Sequence, residues 1–227
     1  MNDHKICFIL CVNSQFFFEE CLLYLERLLV PEGFEVEVRP IWGADSMTNG
    51  YNSVMPETDA KYKIYMHQDT LIVNKYFLHD MLAIFGVDEE IGMIGMVGCE
   101  KLPEDGVMWH GFRCGAVYGS DVPLPKDISA SAYRYRLQED GYTEVEAVDG
   151  FLMATCCEIP WREDIFDGWD FYDVSQSFEY RRKGKKIVVP KQLRPWCAHN
   201  DGILSMWNYE KYKRIFLQEY KGTDEDK

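Results

Sequence analysis

The sequence predicts an α/β protein built on a mixed, mostly parallel central sheet flanked by helices. Three observations carry this expectation. Apolar stretches of strand length alternate, through short connections, with stretches whose apolar residues recur every three and four positions, the pattern of βαβ units. The first of them, Ile6 to Val12, is a continuous apolar run, as a parallel strand buried on both faces requires. The chain has 227 residues, 47% hydrophobic and 15% aromatic, enough for one sizeable core, which excludes a disordered or collagenous polymer.

The elements follow in order. After the first strand, Ser14 caps a helix whose buried face is Phe18, Cys21, Leu22, Leu25, Leu28 and Leu29, ended by Pro31 and Gly33. Phe34 to Ile41 alternates apolar with charged residues and predicts a second strand. Ser46 opens a helix with Met47, Tyr51, Val54 and Met55 on one face, and Pro56 closes it. Tyr62 to Met66 is a third strand that runs into His67-Gln68-Asp69. Asn74 caps a helix with Leu78, Met81, Leu82 and Phe85 inward and Gly86 as its stop, and Ile91 to Val97 resumes as strand. Beyond this doubly wound, nucleotide-binding-type half (about 6–100), the pattern changes. Trp109 to Tyr118 and Tyr142 to Thr155 read as antiparallel strands joined by a polar stretch near 120–132. A helix over Val174 to Lys183 ends at Gly184, a strand follows over Lys186 to Val189, and a last helix runs from Trp207 to Tyr220. No linker-like composition divides the chain. A single domain over 1–221 is expected, with a second half over about 101–205, a C-terminal helix over 206–221 and a frayed acidic tail at 222–227.

Charge limits the partners. Lys and Arg number 24 against 38 Asp and Glu, a formal net charge of −14. Such a surface repels phosphate backbones, so nucleic acid and anionic membranes are poor partners, and an anionic small ligand needs a bound cation or focused Lys and Arg. The eight cysteines are scattered without a CxxC pair, and Cys7, Cys11 and Cys21 sit in apolar-periodic stretches, which predicts reduced, structural thiols. No signal-peptide pattern and no span-length apolar stretch is present, so a cytoplasmic location is expected; nothing indicates the oligomeric state.

Two common nucleotide signatures are missing. No GxGxxG follows the first strand, and Gly184-Lys185 lacks the upstream Gly and following Ser/Thr of a P-loop. The informative tripeptide is His67-Gln68-Asp69 at the carboxyl end of the third strand, where ligands of open α/β sheets bind. An imidazole and a carboxylate there either cap the following turn or hold a divalent cation against a diphosphate; the oxygen ligand suits Mg²⁺ or Mn²⁺, and the imidazole tilts the choice to Mn²⁺.

Several segments in order carry a resemblance: Cys11-Val12-Asn13 after the first strand, Gly43-Ala44-Asp45-Ser46 after the second, Asn52 in the next helix, then Tyr65-Met66-His67-Gln68-Asp69. Val148-Asp149-Gly150-Phe151, Phe166-Asp167-Gly168-Trp169-Asp170-Phe171-Tyr172-Asp173 and Trp196-Cys197-Ala198-His199-Asn200 extend it. Together, over about residues 6–201, they resemble the GT-A nucleotide-sugar glycosyltransferases, and among these the small family-2-like bacterial members with HQD in place of DxD. The resemblance implies metal-dependent, inverting transfer of a sugar from a nucleotide-diphosphate-sugar donor, UDP-type above all, to an acceptor hydroxyl. It implies that Asp69, His199 and His67 hold the metal, that Val12, Asn13, Asp45, Asn52 and Gln68 face the nucleotide, and that Asp149, Gly150, Trp169 and Asp170 shape the sugar and acceptor side. Asp173 would be the general base, with Asp170 as the alternative. Two positions depart from the pattern: His67 stands where DxD has its first Asp, and Tyr172 stands where an acidic residue often precedes the base. Two competing functions are a sugar-nucleotide-forming nucleotidyltransferase, which wants a Gly-rich basic loop absent from Cys11 to Phe17, and a degenerate binder of nucleotide or glycan.

Other conspicuous residues carry two readings each. Trp109, Trp161, Trp169 and Trp196 either stack on sugar faces or pack, with Trp169 and Trp196 the better candidates for stacking. The basic run Arg181-Arg182-Lys183 with Lys185-Lys186 is a solvated helix end or an acceptor-phosphate contact, and His110 is expected to be solvated.

Overall fold

A computed structural model describes residues 1–119, 131–134, 141–200 and 206–222. The first half of the chain forms β1 (Asn2–Val12), α1 (Gln15–Leu25), β2 (Glu35–Trp42), α2 (Met47–Val54), β3 (Ala60–His67), β4 (Thr70–Ile72), α3 (Phe77–Phe85), β5 (Ile91–Gly95) and β6 (Val97–Cys99). The second half forms β7 (Arg113–Gly119), β8 (Ser131–Arg134), β9 (Tyr142–Val145), β10 (Ala147–Val148), β11 (Leu152–Thr155), α4 (Tyr172–Arg182), β12 (Lys186–Pro190), β13 (Cys197–His199) and α5 (Tyr209–Phe216).

Seven strands make the main sheet in the order β2-β1-β3-β11-β5-β12-β9, and β10-β6-β7-β13-β4, with β8 paired to β7, make a second one of six. The main sheet is mixed and mostly parallel, as expected: β1 pairs in parallel with β2 and β3, and β12 with β5, while β11 and β9 run antiparallel to their neighbours. The continuous apolar run of β1 is explained by burial on both faces. Ile6, Phe8 and Leu10 pack with Phe18 and Cys21 of α1 and Leu78 and Met81 of α3, while Cys7, Ile9 and Cys11 pack with Tyr51 of α2 and Tyr180 of α4. A third cluster joins Phe166, Phe171, Tyr212 and Phe216 and seats α5.

The caps read from sequence are in place. The Ser14 hydroxyl accepts from Phe17 N–H at 3.5 Å, and the Ser46 hydroxyl accepts from Asn49 N–H at 3.1 Å. Asn74 acts earlier than expected: its side chain accepts from Tyr76 N–H, and α3 starts at Phe77. Other boundaries also differ. α1 stops at Leu25, although Leu28 in the turns beyond it is still buried. The strand expected over Ile91 to Val97 breaks at Met96, so that β5 and β6 enter different sheets. The Met96 carbonyl accepts from Gln192 Nε2 at 2.6 Å and Ala116 N–H at 3.3 Å. Trp109 lies in a 3-10 turn, Met108–His110, before β7, and α5 starts at Tyr209 and ends in a π-helical turn, Leu217–Lys221. Most of the stretch expected to join the antiparallel strands, 120–130, and the tail beyond Gly222 lie outside the described residues.

The basic end of α4 is engaged in ion pairs: Arg181 with Glu146 at 3.1 Å, and Arg182 with Glu179 and Glu219 at 3.0 and 2.8 Å. Among the tryptophans, Trp161 is buried in the second cluster and Trp196 packs edge-on to Phe77, whereas Trp169 is half exposed. His110 is exposed and pairs with Asp105 at 2.7 Å. Six cysteines are buried, and Cys156 and Cys157 are half-buried.

Candidate active site

The carboxyl ends of the first three strands lie side by side, since Val12 is in register with Trp42, and Cys11 with His67. The chain leaves β3 at this edge through His67-Gln68-Asp69. Asp69, in the turn after β3, comes within 4.0 Å of the His67 ring, and the Gln68 side chain reaches Asn13 instead. Gln68 Oε1 accepts from Asn13 N–H and Ser14 N–H at 3.0 and 2.9 Å, and Gln68 Nε2 donates to Asn13 Oδ1, which ties the β3 exit to the β1 exit.

Two later segments come to the same edge by strand pairing. Antiparallel β13 and β4 set His199 opposite Thr70, beside Asp69. Antiparallel β11 and β3 set Leu152 opposite Met66, so that Phe151 O accepts from His67 N–H at 3.0 Å and from the Thr70 hydroxyl at 3.1 Å. The Phe151 ring lies against the His199 imidazole, with centroids 5.1 Å apart and planes at 20°. His67 Nδ1 and His199 Nε2 are 3.2 Å apart, and Asp69 Oδ1 lies 3.4 Å from His199 Nε2 and 4.0 Å from His67 Nδ1.

These three atoms fit a divalent cation. All lie within 4.8 Å of one another, and Asp69 Oδ1 is buried with no hydrogen-bond partner among the described residues. Ligand atoms about 2.1 Å from one ion, at right-angled to tetrahedral separations, stand about 3.0–3.4 Å apart, close to the two shorter spacings here. Burial pushes the Asp69 carboxyl up, but His199 and His67 outweigh it and hold the group below its usual range, so it is an anion.

Asp173 sits in the first turn of α4. Its carboxylate accepts from Gly150 N–H at 3.0 Å and from Val174 N–H at 2.8 Å, so the Gly150-Phe151 pair touches both Asp173 and the His67 backbone. Burial raises the Asp173 carboxyl and the charge of Asp149 raises it further; the two N–H donors pull it back, and the result is about 7. Burial also raises the half-buried Asp170 carboxyl. The Asp149 carboxylate accepts from Phe151 N–H at 3.2 Å.

A residue whose contact with the cluster was not read from the sequence is Tyr172. Its hydroxyl lies 2.5 Å from His67 Nε2, and burial pushes the phenol well above its ordinary value. The signal was the departure at this position: a residue beside the expected base that is not acidic. Phe171, just before it, has φ of 60°, the left-handed region. Of the remaining expected nucleotide contacts, Val12 is the buried end of β1 and Asp45 is exposed just beyond β2. Asn52 is engaged elsewhere: its amide donates to Trp161 O and accepts from Trp161 N–H, both at 2.9 Å.

A family model described as "Glycosyltransferase like family" matches residues 7–220. No curated protein matches the sequence. Among solved structures, the mannosyltransferase PcManGT from Pyrobaculum calidifontis in complex with GDP-Man and Mn²⁺ superposes with a TM-score of 0.54 at 10% identity, over 94% of this chain and 61% of that one. S. aureus TarS 1-349 in complex with UDP-GlcNAc gives 0.59 at 11% identity, over 97% and 67%. GalNAc-T7 with UDP, GalNAc and Mn²⁺ gives 0.59 at 12% identity, over 97% and 49%. The chain thus spans about half to two thirds of these proteins, and at such identities the likeness is one of fold. Among the described residues no helix is long and apolar enough to cross a membrane.

Proposed function

The chain belongs to the glycosyltransferase-like family, and from that premise we propose that it moves a sugar from a nucleotide-diphosphate-sugar donor to an acceptor hydroxyl, with inversion at the anomeric carbon. The observation that carries the reading is the convergence of Asp69, His67 and His199 with Asp173 around one dipeptide, Gly150-Phe151. Similar folds are solved with GDP-Man and Mn²⁺ and with UDP, GalNAc and Mn²⁺, which supports a divalent cation here, and the two-imidazole, one-carboxylate set favours Mn²⁺ over Mg²⁺. Bound there, the cation supplies a Lewis acid that neutralises charge on the departing diphosphate.

The side chains do the rest. Val12, Asn13, Asp45 and Gln68 are given to a UDP-type nucleotide, supported by their common position at the carboxyl edge of the sheet. Asn52 is assigned instead to holding the Trp161 peptide. Asp149, Gly150, Trp169 and Asp170 are given to the sugar and acceptor. Asp173 is the base that takes the acceptor proton as its oxygen attacks. A carboxyl at about 7 matches that task, because it is ionised near neutrality yet basic enough to pull the proton, an effect worth about 10²–10⁴-fold. Asp170, the alternative base, does not share the Gly150 contact.

The test is donor turnover together with nucleotide binding. Asp173→Asn should abolish transfer and leave Mn²⁺-dependent binding of the nucleoside diphosphate nearly intact. Loss of binding with loss of turnover would remove Asp173 from the role of base.

A further inference from the structure

We propose that Tyr172 is a positioning residue for the cation site: its phenol fixes the His67 ring so that Nδ1 is the nitrogen offered beside Asp69 and His199. The inference rests on the cation reading given above. A neutral imidazole carries one ring N–H, and the other nitrogen is the ligand; which is which depends on what the protonated nitrogen meets. His67 Nε2 lies 2.5 Å from the Tyr172 hydroxyl, while Nδ1 faces His199 Nε2 at 3.2 Å and Asp69 Oδ1 at 4.0 Å. A phenol oxygen accepts as well as donates; with the phenol as acceptor of the Nε2–H, the Nδ1 lone pair is the one that faces His199 Nε2 and Asp69. Removing a polar partner of this kind typically costs about 10–100-fold in metal affinity.

Three features hold the phenol at that spot. The ring is packed among Tyr51 and Trp161, with centroids 6.3 and 6.1 Å away. Gly150 leaves room for the hydroxyl, because a Cβ there would stand 2.1 Å from it. The left-handed Phe171 turns the chain into α4 so that consecutive residues diverge, Tyr172 to His67 and Asp173 to Gly150 N–H. One helix start therefore joins the cation ligands to the base. Tyr172 and His67 are the two positions at which the sequence departs from the pattern it resembles. The two departures in the sequence are partners in the structure.

The experiment uses the full chain and Mn²⁺ alone, without nucleotide. Tyr172→Phe removes only the hydroxyl and keeps the packed ring. Calorimetric titration should show Mn²⁺ binding to the variant about 10–100-fold more weakly than to the wild type. Transfer lost at limiting Mn²⁺ should return when Mn²⁺ is raised, which a merely structural defect does not allow. Long-range ¹H–¹⁵N spectra of the metal-free wild type, which need no variant, should show His67 protonated at Nε2. Equal Mn²⁺ affinity in wild type and variant, or a His67 proton on Nδ1, overturns the inference and leaves the transferase reading standing. A wild type that binds no Mn²⁺ overturns the cation reading and this inference with it.

Discussion

Asp173 is a single carboxyl whose surroundings set both the working pH of the site and a cost in stability. Its proton leaves at about 7 in the folded chain against a usual 3.8, chiefly through burial and then through Asp149. In its proposed role of base it acts ionised, so the transfer rate should rise with pH, reach half its plateau near 7 and level off above; a rate that is flat from pH 5.5 to 8.5 would assign the base elsewhere. The stability effect has the opposite direction. The folded form binds the proton more tightly, so between about pH 4 and 7 it carries more protons than the unfolded chain and stability falls as pH rises. Asp173→Asn removes this dependence. Relative to wild type the variant should gain stability between pH 4 and pH 8, by no more than about 4 kcal/mol at about 1.36 kcal/mol per unit, and by less to the extent that water reaches the carboxylate. Chemical denaturation at the two pH values measures that difference, and a constant offset would show that Asp173 titrates normally.

The start of α4 is the element on which the site turns, and two backbone positions control it. Gly150→Ala places a methyl 2.1 Å from the Tyr172 hydroxyl, within a packed aromatic cluster that cannot yield cheaply. We expect a loss of about 1–3 kcal/mol in unfolding free energy and weaker Mn²⁺ binding together. Phe171→Gly sets two effects against each other. Glycine relieves a left-handed residue, worth about 1–2 kcal/mol, but deletes a buried ring that contacts Tyr209 and Phe216, worth about 3–5 kcal/mol. The ring wins, and thermal unfolding should show net destabilisation of about 1–4 kcal/mol. These elements also show what a sequence can reveal. β1, α1, β2, α2 and β3 were legible because each carries its own apolar run or periodicity, and the helices a cap. The strands β4, β6 and β13, three residues each, were not, because three residues have no period; only pairing defines them. The insertion of β11 between β3 and β5 is a long-range choice of partners with no local trace, and it is what carries Gly150-Phe151 to His67. Asp69, His199 and Asp173 could be named in advance through ordered motifs. The contact of Tyr172 with His67 could not, since it depends on the backbone turn at Phe171.

For the molecule as a whole, charge bears on how the proposed anionic donor would bind. The net charge is −14, and two of its carboxylates, Asp69 and Asp173, lie in the candidate site. Two explanations of a cation requirement then compete. The long-range acidic field alone repels the donor, or the diphosphate lacks a local partner that Asp69, His67 and His199 supply only through a bound ion. Salt separates them. The Debye length falls from about 8 Å at physiological ionic strength to about 3 Å at 1 M, which screens distant carboxylates but leaves the local site without a bridge. With Mn²⁺ and a nucleoside diphosphate at a hundred times its dissociation constant, stability should rise by about 2.7 kcal/mol. For a chain of this size that is a shift in Tm of about 5–11 °C. Chelation should abolish the shift at physiological salt, and 1 M salt should not restore it. Asp69→Asn should behave like the chelated protein even with Mn²⁺ present, because it removes the one carboxylate of the cluster. Recovery of binding in salt without metal would mean that the field was the obstacle, and that the three side chains at the end of β3 cap a turn and hold no ion.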